Sequence, residues 1–207
     1  MNHLTFISDA AGASYRWIKG KKINITAENS RGVASIGNTD ESATFIGTLV
    51  WPKNLLTSVT SSNGKSFGAK STTLEMIGLL IPFLCIPWKL WGKHIILEVD
   101  NTAVQYGWNK GYCKNDPETS VLIRALHIIE AYLHCRIYVR HVKRMSTDMA
   151  ELADNLSRKE TRSKKCKIAT DHLNFYSPKG EILNWLENPR LDWDLGLKLI
   201  KDIENLL

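Results

Sequence analysis

His94-Ile95-Ile96-Leu97-Glu98-Val99-Asp100-Asn101-Thr102-Ala103-Val104 (HIILEVDNTAV) is the stretch from which the fold is read. Its apolar first half predicts a strand that stops at Asp100, and a helix over residues 101–109 follows directly. A carboxylate therefore sits at a strand-to-helix junction. Upstream, residues 3–8 (HLTFIS) predict a short buried strand ending at Asp9, with a turn offered by Gly12 and Ser14. Residues 31–37 (RGVASIG) and 42–51 (SATFIGTLVW) predict two more strands around Asn38-Thr39-Asp40. Three early strands on short connections make an antiparallel meander.

A polar loop over residues 57–70 leads into a helix capped by Ser71 or Thr72. That helix runs to about Leu84, with Pro82 as a kink or an end. Downstream, Asp116-Pro117 opens another helix, Asp as its cap and Pro in its first position. Its stripe of Val121, Leu122, Ala125, Leu126, Ile129 and Leu133 faces a core. Residues 136–142 (RIYVRHV) predict the last strand, and residues 150–158 (AELADNLSR) a closing helix. Met149, Leu152, Ala153 and Leu156 form the apolar stripe of that helix, and Asp154 points away from it. The order βββ-α-β-α-α-β-α, with helices crossing between the later strands, predicts an α/β fold with a mixed five-stranded sheet flanked by helices.

The 207 residues suit one domain, or one domain with an appendage. The domain is expected over residues 1–158, a basic linker over 159–168 (KETRSKKCKI), and a small helical appendage over 169–207. In that tail Leu195, Leu199, Ile203 and Leu206 share a helix face. The net charge is +6 and the pI about 9.1, which permits a polyanionic partner. Residues 1–158 carry most of the excess, 18 Lys/Arg against 13 Asp/Glu. Cys85, Cys113, Cys135 and Cys166 show no paired spacing and read as free thiols of an intracellular protein, in cytoplasm or nucleus. No signal peptide is evident, and the apolar run 77–88, broken by Pro82 and Pro87, is too short to span a bilayer, so no membrane partner is expected.

Four acids stand out by position: Asp9 and Asp100 at strand ends, Glu75 in the first turn of a helix, and Asp154 on the last helix. If the first and fourth strands are neighbours, Asp9 and Asp100 stand side by side. Hydrolysis of a phosphodiester by two divalent ions needs such a set of carboxylates, and hard oxygen ligands select Mg²⁺ or Mn²⁺. Each acid also has a structural role open to it. Glu75 fits a capping box with Thr72, Asp100 an N-cap, Asp9 a turn, and Asp154 a solvated helix face.

The words around the acids are FISDAAG (6–12), RGVA (31–34), STTLE (71–75), EVDNTAV (98–104) through WNKG (108–111), HV (141–142) and ADNLSR (153–158). Their succession resembles the ribonuclease H domain of retrotransposon reverse transcriptases, with the DIRS group as the nearest likeness. The resemblance covers about residues 3–158 and leaves 159–207 unexplained. It implies a ribonuclease H-like fold and a metal-dependent endonuclease that hydrolyses the RNA strand of RNA–DNA hybrids. It matches Asp9, Glu75, Asp100 and Asp154 to four catalytic, metal-binding carboxylates holding two Mg²⁺ or Mn²⁺ ions. It also implies nucleic-acid contacts at Gly12, Asn101, Lys143 and Arg144, and a separate reverse-transcriptase polymerase chain as a candidate partner.

Two departures from the family pattern stand out. The loop Lys143-Arg144-Met145-Ser146-Thr147-Asp148-Met149 is longer than the usual Pro-Gly turn and lacks the histidine of cellular and retroviral members, so Asp148 or Glu151 competes with Asp154 for the fourth place. The basic handle of cellular enzymes has no room between Gly111 and Asp116, which shifts phosphate binding to Lys143, Arg144 and the cluster at 159–167. No polymerase palm precedes the first strand, so a fragment, a retroelement remnant and a stand-alone gene are all open. A non-catalytic binding module is the rival reading. A transposase or integrase fits less well, because the order of the acids here is D…E…D…D.

Overall fold

A computed structural model describes residues 3–12, 15–24, 32–39, 44–52, 55, 71–158 and 173–207. The expected turn residue Ser14, the polar loop 57–70 and the basic segment 159–168 lie outside those residues. Strand β1 (His3–Ala10) is followed by a hairpin of β2 (Tyr15–Ile18) and β3 (Lys21–Asn24) that stands apart from the main sheet. Its turn is Lys19-Gly20, both with positive φ (48° and 74°), the two-residue geometry that matches the twist of paired strands. The sequence reading had no strands here.

β1 then pairs antiparallel with β4 (Gly32–Asn38), and β4 with β5 (Thr44–Val50), the expected meander. On its other side β1 pairs in parallel with β6 (His94–Val99), the strand of the opening stretch, and β6 with β7 (Arg136–His141). Two corrections concern the sheet. β1 runs on to Ala10, so Asp9 lies inside the ladder opposite Ala34. A sixth strand, β8 (Leu173–Tyr176), pairs in parallel with β5, so the sheet order is β7-β6-β1-β4-β5-β8 rather than five strands. The outer edge of β5 would otherwise leave a row of backbone donors and acceptors unpaired.

The helices follow the same logic. α1 (Ser71–Cys85) continues through Pro82, whose carbonyl still accepts from Ile86 N at 2.9 Å, and a short α2 (Pro87–Leu90) follows. α1 is buried from Thr73 to Cys85, all round rather than along a stripe, because it lies between the sheet and later helices. Its approach to the sheet is set by small residues. Ser8, Ser35 and Gly47 stand in one cross-strand row, and a Cβ on Gly78 would sit 2.9 Å from Ser8 Cβ and Val33 Cγ2. α3 (Thr102–Lys110) and α4 (Pro117–Tyr132) cover the same side. Asp116 caps α4 as expected, accepting from Thr119 N at 3.3 Å and from Thr119 Oγ1 at 2.8 Å. The Thr119 proton being committed there, Thr73 Oγ1 donates to Thr119 Oγ1 at 2.8 Å and ties the start of α1 to α4.

Among the described residues α5 (Asp148–Ser157) lies alone on the opposite side, where Ala150, Leu152 and Ala153 pack on Ile7, Ile36 and Ile46. Adjacent strand residues thus serve opposite cores, Phe6 one and Ile7 the other. The tail does not form an appendage. α6 (Glu181–Glu187) and α7 (Leu195–Leu206) place Ile182, Trp185, Leu195, Leu199 and Ile203 in the main core, with α7 against α4. Leu206, expected on that face, is exposed. No helix among the described residues is long and apolar enough to cross a membrane.

Candidate metal centre

Three elements bring three acids together. Asp9 comes from the last turn of the β1 ladder, Glu75 from the second turn of α1, and Asp100 from the residue after β6. One carboxylate oxygen from each lies within 4.8 Å of the other two. Parallel pairing of β1 with β6 sets Ile7 opposite Glu98, which brings the two aspartates to one end of the sheet. Asp100 is not the cap of α3. Asn101 is, its Oδ1 accepting from Val104 N at 3.1 Å, and that leaves the Asp100 side chain to the cluster.

Glu75 likewise has no capping role. The helix begins at Ser71, so Glu75 sits beyond its first turn, where its Oε1 accepts from Ala10 N at 3.3 Å. Its Oε2 is buried and has no hydrogen-bond partner. Such an oxygen costs free energy unless a donor or a cation reaches it. Burial raises the pKa of Glu75 well above the usual carboxylate range, and the charges of Asp9 and Asp100 add to the rise. Burial also pushes Asp9 up to about 7, helped by the charge of Asp100 and by a hydrogen bond and charge from Asp154.

Asp154 stands beside Asp9 at the edge of this triad, on the buried face of α5. The solvated helix face that was open to it is not where it lies: it is 8% exposed, because α5 presses that face onto the sheet end. Its Oδ1 takes two guanidinium contacts, Arg158 Nε at 3.2 Å and Arg144 Nη2 at 3.4 Å. Asp148 is exposed and Glu151 half-buried in the first turn of α5, and neither joins the triad. Arg158, four residues after Asp154 and at the C-cap of α5, was not singled out in the sequence although its spacing is that of a helical ion pair.

The remaining expected contacts fall around the cluster. Lys143, Arg144 and Met145 line the cleft with Asp9 and Asp100. Their turn closes through Ser146 N to Lys143 O at 3.2 Å, with Met145 in the left-handed region at φ 56°. A non-glycine residue there carries strain, of the kind that functional loops retain. Gly12 lies just past β1, with Leu74 Cδ1 3.7 Å from the place a Cβ would take. Asn101 is engaged as the cap described above, so its Oδ1 is already used.

Comparison of the chain with protein-family models, with curated proteins and with solved structures finds no match. The centre is therefore judged on its donor set. Oxygen-only ligands, two of them raised in pKa by burial first and mutual repulsion second, and one buried oxygen without a donor, are able to hold a hard metal ion.

Proposed function

We propose that the chain is a ribonuclease H-like, metal-dependent endonuclease that hydrolyses the RNA strand of RNA–DNA hybrids. The observation that carries this reading is the convergence of Asp9, Glu75 and Asp100 on one point, with Asp154 against Asp9. The mixed sheet flanked by helices is compatible with that reading. Asp9 and Asp100 would hold or flank two Mg²⁺ or Mn²⁺ ions, Glu75 would hold one, and Asp154 would complete the second position. Metal held there would supply a lowered pKa for the attacking water and neutralisation of charge on the phosphate and leaving oxygen.

The protein's own groups do the rest. Glu75 faces the 2′-hydroxyl side of the substrate, the group by which RNA differs from DNA. Lys143 and Arg144, on the cleft wall, take phosphate oxygens and fix the register of the hybrid. A separate polymerase chain supplies hybrids in this reading.

One observation favours a second reading, a non-catalytic nucleic-acid-binding module of the same fold. The tie of Asp154 to Arg144 and Arg158 gives that acid a structural purpose without metal. Incubation with an RNA–DNA hybrid, duplex RNA and duplex DNA, each in Mg²⁺ and in Mn²⁺, separates the two. The nuclease cuts only the RNA strand of the hybrid; a binding module retains the hybrid uncut.

A further inference from the structure

α5 covers only part of its side of the sheet. It lies over β1, β4 and β5, and among the described residues no element lies over that side of β6 and β7. The strands record this by alternation. Ile95, Leu97, Val99, Ile137 and Val139 are buried beneath helices, whereas the residues between them are half-buried or exposed.

Three rings cross this open side. His3 meets His94 edge-on at 5.9 Å, and His94 lies nearly parallel to Tyr138 at 6.5 Å with an interplanar angle of 23°. They belong to β1, β6 and β7 in turn, and Tyr138 is 48% exposed. Arg136, opposite His94, is exposed and forms no ion pair among the described residues. Arg140 neutralises Glu98, the one acid of this strip among the described residues, through Nε at 3.1 Å and Nη2 at 2.8 Å. The strip is thus aromatic, cationic and free of unpaired carboxylates. It is also continuous with the metal centre. Alternate residues of β6 lead from His94 through Ile96 and Glu98 to Asp100, six residues or roughly 20 Å of strand.

We propose that this strip binds single-stranded nucleic acid, as the unpaired tail of a strand whose paired part reaches the metal centre. The link to the paired part rests on the nuclease reading; the binding itself does not. Half-exposed rings on a sheet surface offer stacking faces to splayed bases. A duplex hides those faces, so the rings select an unpaired strand. Arg136 takes a phosphate at the far end, and Lys143 and Arg144 take phosphates near the acids.

The test uses the full chain and a labelled single-stranded RNA of about 12 nucleotides, within the site sizes of single-strand binders. Anisotropy is read in EDTA, so that hydrolysis plays no part. Tyr138→Ala and His94→Ala are each expected to weaken binding at least about fivefold. Arg136→Ala is expected to reduce the slope of log K against log salt by about 0.7. All three should keep the wild-type melting midpoint and the cutting of a blunt-ended hybrid. Failure of the wild type to bind at low salt, or undiminished binding in both ring variants, overturns the proposal and leaves the strip to a protein partner. Binding with the expected losses, in a chain that cuts no hybrid, upholds the strip and sinks the nuclease reading alone.

Discussion

At Asp9 the chemistry of the centre is also a stability effect. Its ordinary pKa of 3.8 is raised to about 7 in the fold, so folding favours the protonated form. That contribution is complete below about pH 4 and disappears as the pH rises through about 7. The metal-free protein should therefore lose stability across this window, by an amount on the order of 2 kcal/mol once sharing with Asp100 and Asp154 and solvent screening are allowed for. Metal needs the ionised acids, so the rise in melting midpoint given by Mn²⁺ should grow over the same window. Asp9→Asn is expected to flatten both trends, stabilising the metal-free protein near neutral pH and abolishing the metal response. Thermal melts at about pH 5 and about pH 8, with Mn²⁺ or EDTA, check this. A metal response equal at both pH values and intact in the variant would contradict it.

The elements show how far local signals reach. The junction at Asp100-Asn101 was legible because a β-branched run ends in a cap-forming residue, and Asp116-Pro117 because both residues suit a helix start. The sequence left open whether Asp100 was the cap of α3 or free for chemistry, and the cap bond of Asn101, a residue not considered for that role, decided it. The β2–β3 hairpin was not legible, since Lys19-Gly20 is a weaker turn signal than Asn-Gly and the strands are only four residues each. The close seat of α1 on the sheet depends on Gly78 against Ser8 and Val33 and on Gly47 beneath Ile81, a match between distant segments. Gly78→Ala must push α1 away from two strands. It should cost about 1–3 kcal/mol in urea unfolding, despite the better helix propensity of alanine. A neutral or stabilising effect would mean that α1 sits more loosely than described.

Over the whole molecule the same divide recurs. The meander and the parallel pairing of the later strands follow from the order of elements, but the meeting of Asp9 with Asp100 was legible only on the condition that the first and fourth strands are neighbours, which the pairing of β1 with β6 meets. The tail was not, because β8 finds its partner β5 across most of the chain and its four residues carry no pattern of their own. Residues 173–207 nonetheless complete the sheet and the main core. Trp185, 1% exposed with its Nε1 donating to Arg190 O at 3.0 Å, should act as a core residue of the entire fold. Trp185→Ala is expected to lower the stability of one cooperative transition by about 3–5 kcal/mol. Loss of α6 and α7 in a separate, earlier transition would show that the tail is an independent unit.

The most direct measurement of the central claim is strand-resolved cleavage of an RNA–DNA hybrid labelled on both strands, in Mg²⁺ and in Mn²⁺, with Asp100→Asn alongside the wild type. Asp100 faces the triad and has no capping duty, so the variant removes charge from the centre while the fold persists. Metal-dependent cutting of the RNA strand alone is expected of the wild type, reduced at least about a hundredfold in Asp100→Asn. An uncut hybrid that remains bound, or cutting that survives in Asp100→Asn, contradicts it.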